Sequence, residues 1–229
     1  MDRISIERFR LALFGRMIMG VAHEVDNHLS VVLGFAELLQ FAGGNEKKVQ
    51  DSAGKIMAAG DRINRIVKQF SHYVRPHEPS VEPFSPSEML PEVYVFTKYD
   101  LGRGNVTVAF PETVPPGLIN GDRRDLGLAL TCLLLNGSEA MADRGGTLTL
   151  DVVKDGASWR FRVADQGPGL GVEAGERAFE EGFTTREGAA HAGLGLPVAR
   201  FLAEAAGGEV SVENAPGGGC VAELRVPVR

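Results

Sequence analysis

Two cysteines, one tryptophan and three tyrosines in 229 residues leave this sequence short of several kinds of chemistry. Cys132 and Cys220 are too few and too far apart to form a metal knuckle or a disulfide framework, and read as reduced, structural residues of a cytosolic protein. Basic residues are outnumbered, 24 against 30 acidic, for a formal net charge of -6. That balance excludes a general electrostatic grip on nucleic acid or on an anionic membrane, so any polyanion handled here is small and locally held. No apolar run approaches the ~20 residues that span a bilayer. Arg16 interrupts the N-terminal candidate, and Leu128 to Leu135 is too short. A signal peptide's order of basic start, apolar core and small-residue cleavage site is missing as well. So are a G-x-x-x-x-G-K loop and the spacing of a dinucleotide fingerprint.

What is present is a 44% hydrophobic content, enough for one large domain or two small ones, and 29 glycines, most of them beyond residue 100. Residues 3 to 42 contain no proline and place Phe14, Ile18, Val21, Val25, Leu29, Val32, Ala36 and Leu39 three or four apart, the period of a helix with one buried stripe. Gly43, Gly44 and Asn45 supply a stop and a turn. A second helix follows over about 46 to 74, with seams at Val49, Ile56, Ile63, Phe70 and at Ala53, Gly60, Val67, Val74. A two-helix hairpin cannot bury both stripes alone, and its cheapest partner is a second copy, giving a four-helix bundle about a dimer axis.

His23 stands ~200° from Val21 and Val25 around the first helix, so it points away from the stripe and is expected to be exposed. Glu24 is adjacent and Asn27 lies ~40° round from it one turn on, placing an acid and an amide beside an accessible imidazole. A zinc site of the H-E-x-x-H type is excluded, because the i+4 position is Asn27 and His28 is ~140° off the face.

Pro76, Pro79, Pro83, Pro86 and Pro91 end the second helix and read as an extended connector over 79–91. The expected division is therefore 1–78 for the hairpin and 79–229 for a second domain. Beyond the connector come a helix around Met89 to Phe96, a strand at Val106 to Phe110 and a long helix after Asp122, its expected N-cap. Strands at about 147–153 and 159–164, a helix at 194–206 and strands near 209–213 and 221–226 complete the pattern. The expected fold class is α+β, a helical hairpin followed by a two-layer sandwich with helices on one face of a largely antiparallel sheet.

The glycines gather into loops. Asp165-Gln-Gly167-Pro-Gly169-Leu-Gly171 leaves a strand and turns, presenting a carboxylate beside unobstructed backbone. Gly193-Leu194-Gly195 opens a helix whose first N–H groups suit an anion. Between them, Phe179 to Arg186, with Phe183, Thr184 and Thr185, reads either as a packed surface loop or as a segment that closes over a ligand. Asn136 ends the run Leu133-Leu134-Leu135; it is a satisfied core amide or an oxygen ligand for a hard cation such as Mg²⁺ carrying phosphates.

In that order, His23-Glu-Val-Asp-Asn27, Leu133-Leu-Leu-Asn136, Asp165-x-Gly167-x-Gly169, Phe179 to Arg186 and Gly193-Leu194-Gly195-Leu resemble the H, N, G1, F and G2 boxes of bacterial sensor histidine kinases. The resemblance covers essentially the whole chain. It implies a dimerisation and phosphotransfer hairpin followed by an ATP-binding domain of the Bergerat type. By that resemblance His23 is the phosphoacceptor, Glu24 accepts or orients its ring proton, and Asn27 aligns water for dephosphorylating a response regulator. Asn136 holds Mg²⁺ and Asp165 accepts the adenine amino group. Gly167, Gly169, Gly193, Leu194 and Gly195 let backbone approach ATP, and Phe179, Phe183, Thr184, Thr185 and Arg186 belong to the lid.

The departures from the pattern are as informative. Cys132 replaces an asparagine expected four residues before Asn136, and a thiol is a poor magnesium ligand. His28 replaces a helix-bending proline, so a straighter helix is expected, and His191-Ala192 replaces glycine and a small hydroxyl residue. The expectation is a cytoplasmic homodimeric histidine kinase that uses ATP and Mg²⁺ and passes phosphate to an aspartate of a response regulator, with no nucleic acid or membrane partner. With some twenty residues ahead of His23, no input domain is expected in this chain. One alternative is a phosphotransfer and interaction protein with a weakened nucleotide domain. Another is a clamp- or chaperone-like ATPase, disfavoured because Cys132 stands where such enzymes carry a glutamate base.

Overall fold

The structure is a computed structural model that describes residues 1–75, 78–103, 105–185 and 193–228. Two compact units emerge: Phe14–Arg75, and Met1–Leu13 together with Pro76–Arg229. The thirteen N-terminal residues, expected to belong wholly to the hairpin, thus group with the second unit.

The first unit is helical, built from the greater part of α1 (Arg3–Gln40) and from α2 (Glu46–Val74). Helix α1 runs through His28 without a break. Gly43 and Gly44, at φ 56° and 80°, make the turn. Asn45 then caps α2, its side-chain oxygen accepting the Lys48 N–H at 3.1 Å. Phe14 meets Phe70 edge to face, with ring centroids 6.3 Å apart. The buried column of α2 is Ser52, Ala59 and Ile66, again a seven-residue repeat but shifted from both expected seams. Small residues win this column because two helices approach closely only where side chains are short. The expected seam residue Val67 is half exposed, as are Ile18, Leu29 and Leu33 on α1.

Among the described residues the second unit has two sheets. A five-stranded sheet runs in the order β2 (Val106–Ala109), β4 (Gly146–Asp155), β5 (Ser158–Ala164), β7 (Cys220–Pro227), β6 (Glu209–Asn214). Only β2 and β4 are parallel. Alternation puts Leu148, Leu150 and Val152 of β4, Trp159, Phe161 and Val163 of β5, and Ala222, Leu224 and Val226 of β7 on one buried face, while Asp151, Arg162 and Arg225 face out. Helix α4 (Arg123–Ala140) covers that face together with α6 (Gly195–Ala205), and α4 is buried nearly all round from Arg124 to Leu135. The expected α+β sandwich is the observed architecture.

The proline-rich connector is shorter than expected. Glu82–Phe84 form β1, paired antiparallel with β3 (Ile119–Gly121), and α3 (Pro86–Arg103) begins at Pro86 and carries Pro91 inside it. A proline at a helix's first position costs nothing, since its absent N–H would have had no partner there. Ser85 closes the start reciprocally: its N–H reaches Glu88 Oε2 at 3.3 Å and its hydroxyl accepts the Ser87 N–H. Asp122 serves two backbones at once, Oδ1 capping α4 at Asp125 N (2.9 Å) and Oδ2 accepting the Ser80 N–H (2.7 Å). No helix among the described residues is long and apolar enough to cross a membrane.

Candidate functional site

Within the second unit, α4, the loop after β5, the short helix α5 (Val172–Arg177) and the start of α6 enclose a cavity of about 620 Å³, a size that accommodates a nucleotide. Asn136, Asp165, Gly169, Phe183, Thr184, Thr185, Gly193 and Gly195 all line it. Four separate stretches of sequence singled out for their residue types therefore share one pocket. Gly167, Phe179 and Leu194 adjoin without lining it, and Arg186 lies outside the described residues.

Asp165 is 8% exposed, and its Oδ1 accepts from Gly167 N at 2.8 Å and Cys220 N at 3.1 Å. Those bonds hold the loop, leaving Oδ2 as the oxygen available to a ligand's N–H. Two features behind this arrangement went unread in the sequence. Asn214 at the end of β6 grips the loop from below, accepting the Leu170 N–H at 2.6 Å and donating to the Leu170 carbonyl at 3.0 Å. Gly219, at φ 78°, passes so close to Asp165 that a Cβ would sit 2.1 Å from its carbonyl oxygen. Signals existed in both cases, an Asn ending a strand and three consecutive glycines before Cys220, but turns explain such features equally well.

At the other side, Leu194 gives α6 no side-chain cap, and Gly195 and Leu196, whose N–H groups open the helix, line the cavity beside Pro197, which has none. Such a terminus favours an anion. Gly193, at φ 71°, lies against Gly182 and Phe183, with the Gly182 N–H donating to its carbonyl at 3.2 Å. Arg177 stacks over the Phe183 ring at 4.4 Å and Arg200 over Phe179 at 3.6 Å, so both aromatic residues of this segment are held by guanidinium groups.

The charge of the lining decides what a polyanion needs. Glu139, Asp143, Asp165 and Glu173 line the cavity, and no Lys, Arg or His does so among the described residues. No group of three or more metal-ligating His, Cys, Asp or Glu side chains occurs among the described residues either. A polyphosphate would thus carry its own counter-ion, with Asn136 as a neutral oxygen ligand from the protein. Cys132, one turn earlier on α4, is buried in the same wall, and burial pushes its thiol well above the usual range. It offers a proton and a soft sulfur where a hard cation wants oxygen.

In the helical unit His23 is exposed, as are Asp26 and Asn27. Glu24 lies 3.6 Å from the His28 Nε2 through its Oε1, so the residue that replaces the proline engages the acid beside His23.

Residues 121–229 match the family described as histidine kinase-, DNA gyrase B-, and HSP90-like ATPase. The sensor histidine kinase ZraS of Klebsiella oxytoca is 29% identical over 231 residues, covering 100% of this chain and 49% of that protein. The chain thus spans about half the length of this curated relative. Among solved structures, histidine kinase ThkA in complex with response regulator protein TrrA superposes with a TM-score of 0.55 at 24% identity, covering 97% of this chain and 64% of that one. Full-length ShkA in complex with AMPPNP gives a TM-score of 0.55 at 24% identity, covering 93% and 45%. Residues 121–229 thus match an ATPase domain of that description, and the chain as a whole is similar to about half of a sensor histidine kinase.

Proposed function

We propose that this chain binds Mg-ATP in the α4–α6 cavity, transfers the γ-phosphoryl group to His23 and passes it on to an aspartate of a response regulator. The observation that carries the reading is the convergence of Asp165, Asn136 and the uncapped start of α6 on one nucleotide-sized cavity, in a chain whose preceding helix exposes a histidine. In the transfer an imidazole nitrogen of His23 forms the N–P bond, the bond from phosphorus to the β,γ-bridging oxygen breaks, ADP leaves, and the ring proton goes to a base or to water. Asp165 Oδ2 would orient the adenine amino group and the α6 N–H groups would meet phosphate oxygens. Asn136 would hold Mg²⁺, which neutralises phosphate charge when bound. Phe179, Phe183, Thr184, Thr185 and Arg186 would form the lid, and Gly167, Gly169, Gly193 and Leu194 the close backbone approaches.

Asn27, exposed one turn from His23, would align water for dephosphorylating the regulator, and Glu24 would share its proton duty with His28. The exposed apolar residues of α1 and α2 support a homodimer joined through a four-helix bundle, and use of the cellular ATP pool supports a cytoplasmic location. Incubation with γ-labelled ATP and Mg²⁺ tests the reading: wild type gains acid-labile label, and label that persists in His23→Gln refutes it. A relay with a degenerate nucleotide domain is the second reading, favoured by the Cys132 thiol beside the cation position. Calorimetry with AMPPNP separates the two, since absence of binding at millimolar nucleotide favours the relay.

A further inference from the structure

One wall of the cavity comes from far outside residues 121–229. Phe9, in the first turns of α1, lines it together with Asn136 and Asp165. Its segment, Met1–Leu13, belongs to the same compact unit. Ile6, Phe9 and Leu13 are 1%, 8% and 2% exposed, at the three-and-four spacing of one helix face. Arg3 adds a polar tie, its Nη2 lying 2.7 Å from Oδ2 of Asp125 in the first turn of α4, the helix that carries Asn136. Buried apolar residues on this face and an ion pair beside it together seat the segment on the nucleotide-binding unit.

We propose that segment Met1–Leu13 is a working part of the nucleotide site, with Phe9 as a binding residue, so that nucleotide and segment hold each other in place. The proposal rests on the Mg-ATP reading of the same cavity. A phenyl ring has no donor for phosphate; it offers an apolar face to the base or the sugar edge of the nucleotide. A ligand that fills the cavity touches Phe9 only while the segment is docked, because an undocked helix carries the ring away with it. Whatever affinity the nucleotide gains from that contact returns, by linkage, as stabilisation of the docked segment. Ten residues further along the same helix stands His23, so the helix that presents the phosphoacceptor also senses whether the cavity is filled.

The test uses the full chain with Mg-AMPPNP. In wild type, saturating AMPPNP slows amide hydrogen exchange over Ile6 to Leu13. Phe9→Ala weakens AMPPNP by about tenfold, the usual effect of truncating a buried aromatic anchor. Arg3→Glu sets two carboxylates against each other and weakens it several-fold although Arg3 does not line the cavity. Fluorescence of the buried Trp159 reports that both variants keep the fold. If wild type binds AMPPNP with no added protection of the segment and the variants bind as tightly, the proposal is wrong while the nucleotide reading stands. Tighter binding by Arg3→Glu also overturns it, showing a segment that obstructs the cavity. Failure of wild type to bind AMPPNP at all refutes the nucleotide reading and this proposal with it.

Discussion

Gly219→Ala isolates the energetic cost of the closest backbone approach at the site. Its Cβ would lie 2.1 Å from the Asp165 carbonyl oxygen, 2.8 Å from the carbonyl carbon and 3.1 Å from Oδ1. All of these are fixed atoms, because Asp165 is tied to Cys220 through both its N–H and its Oδ1. The substitution carries two costs. At φ 78° an alanine pays about 1–2 kcal/mol for the left-handed region. Forcing backbone apart in a packed sheet adds about 1–3 kcal/mol. Gly218 supplies the control: its φ is 96°, and nothing lies within 4 Å of its Cβ position, so Gly218→Ala bears only the first cost. Urea or thermal unfolding followed through Trp159, the single tryptophan and fully buried in β5, reads the nucleotide-binding unit without interference from the hairpin. At about 2–4 °C per kcal/mol for a unit of this size, Gly218→Ala lowers its melting temperature by a few degrees and Gly219→Ala by about 6–15 °C. Gly219→Ala protein that remains folded has a displaced Asp165 and loses nucleotide affinity, whereas Gly218→Ala retains it. Equal melting temperatures for the two variants would falsify the claim that the Gly219–Asp165 contact, rather than backbone conformation alone, requires glycine.

Other substitutions reach the chemistry more directly. Asp165→Asn keeps one acceptor oxygen but turns an amide N–H₂ toward either the loop N–H groups or the ligand; nucleotide affinity falls about tenfold or more in calorimetry, the value of a hydrogen bond to a charged group. Cys132→Asn supplies a second oxygen one turn before Asn136, and tightens AMPPNP in magnesium titrations while leaving the metal-free affinity unchanged. The buried thiol also makes stability fall at high pH. Its folded-state pKa is raised from 9.0, so the native state keeps a proton that the unfolded chain loses, and stability present below about pH 9 drains away above it. Unfolding in urea between pH 8 and 11 shows a steeper loss for wild type than for Cys132→Ser; parallel curves would contradict the burial argument.

The helical hairpin was legible because its signals are periodic: a proline-free run, a Gly-Gly-Asn stop and a repeat of seven. Which seam faces inward was not, because Ser52 interrupts the apolar pattern of the Ser52, Ala59, Ile66 column while the two seams it competes with read as more continuous. The site residues were legible where chemistry restricts the residue type. Asp165, Asn136 and the glycines of the two loops stand out because few other side chains would serve, and all of them but Gly167 line one cavity. Proline misled at Pro86, since the same residue that terminates one helix starts another at no cost, and at Pro91, which lies inside α3. Phe9 carried no signal at all. An aromatic on a helical apolar face looks like core, and only the tertiary structure brings it to a cavity formed more than a hundred residues later.

The two duties of Asp122 bear on how strain moves through the nucleotide-binding unit. A linker ordinarily isolates what lies on either side of it, because slack dissipates a pull. Here the N–H of Ser80 is held by the same carboxylate that starts α4. Helix α4 is a rod of about 27 Å with Asn136 near its far end. Backbone and rod are therefore coupled in series through one side chain. The start of the connector and the first turn of α4 thus share a single anchor, on the helix whose later turns bring Asn136 to the cavity.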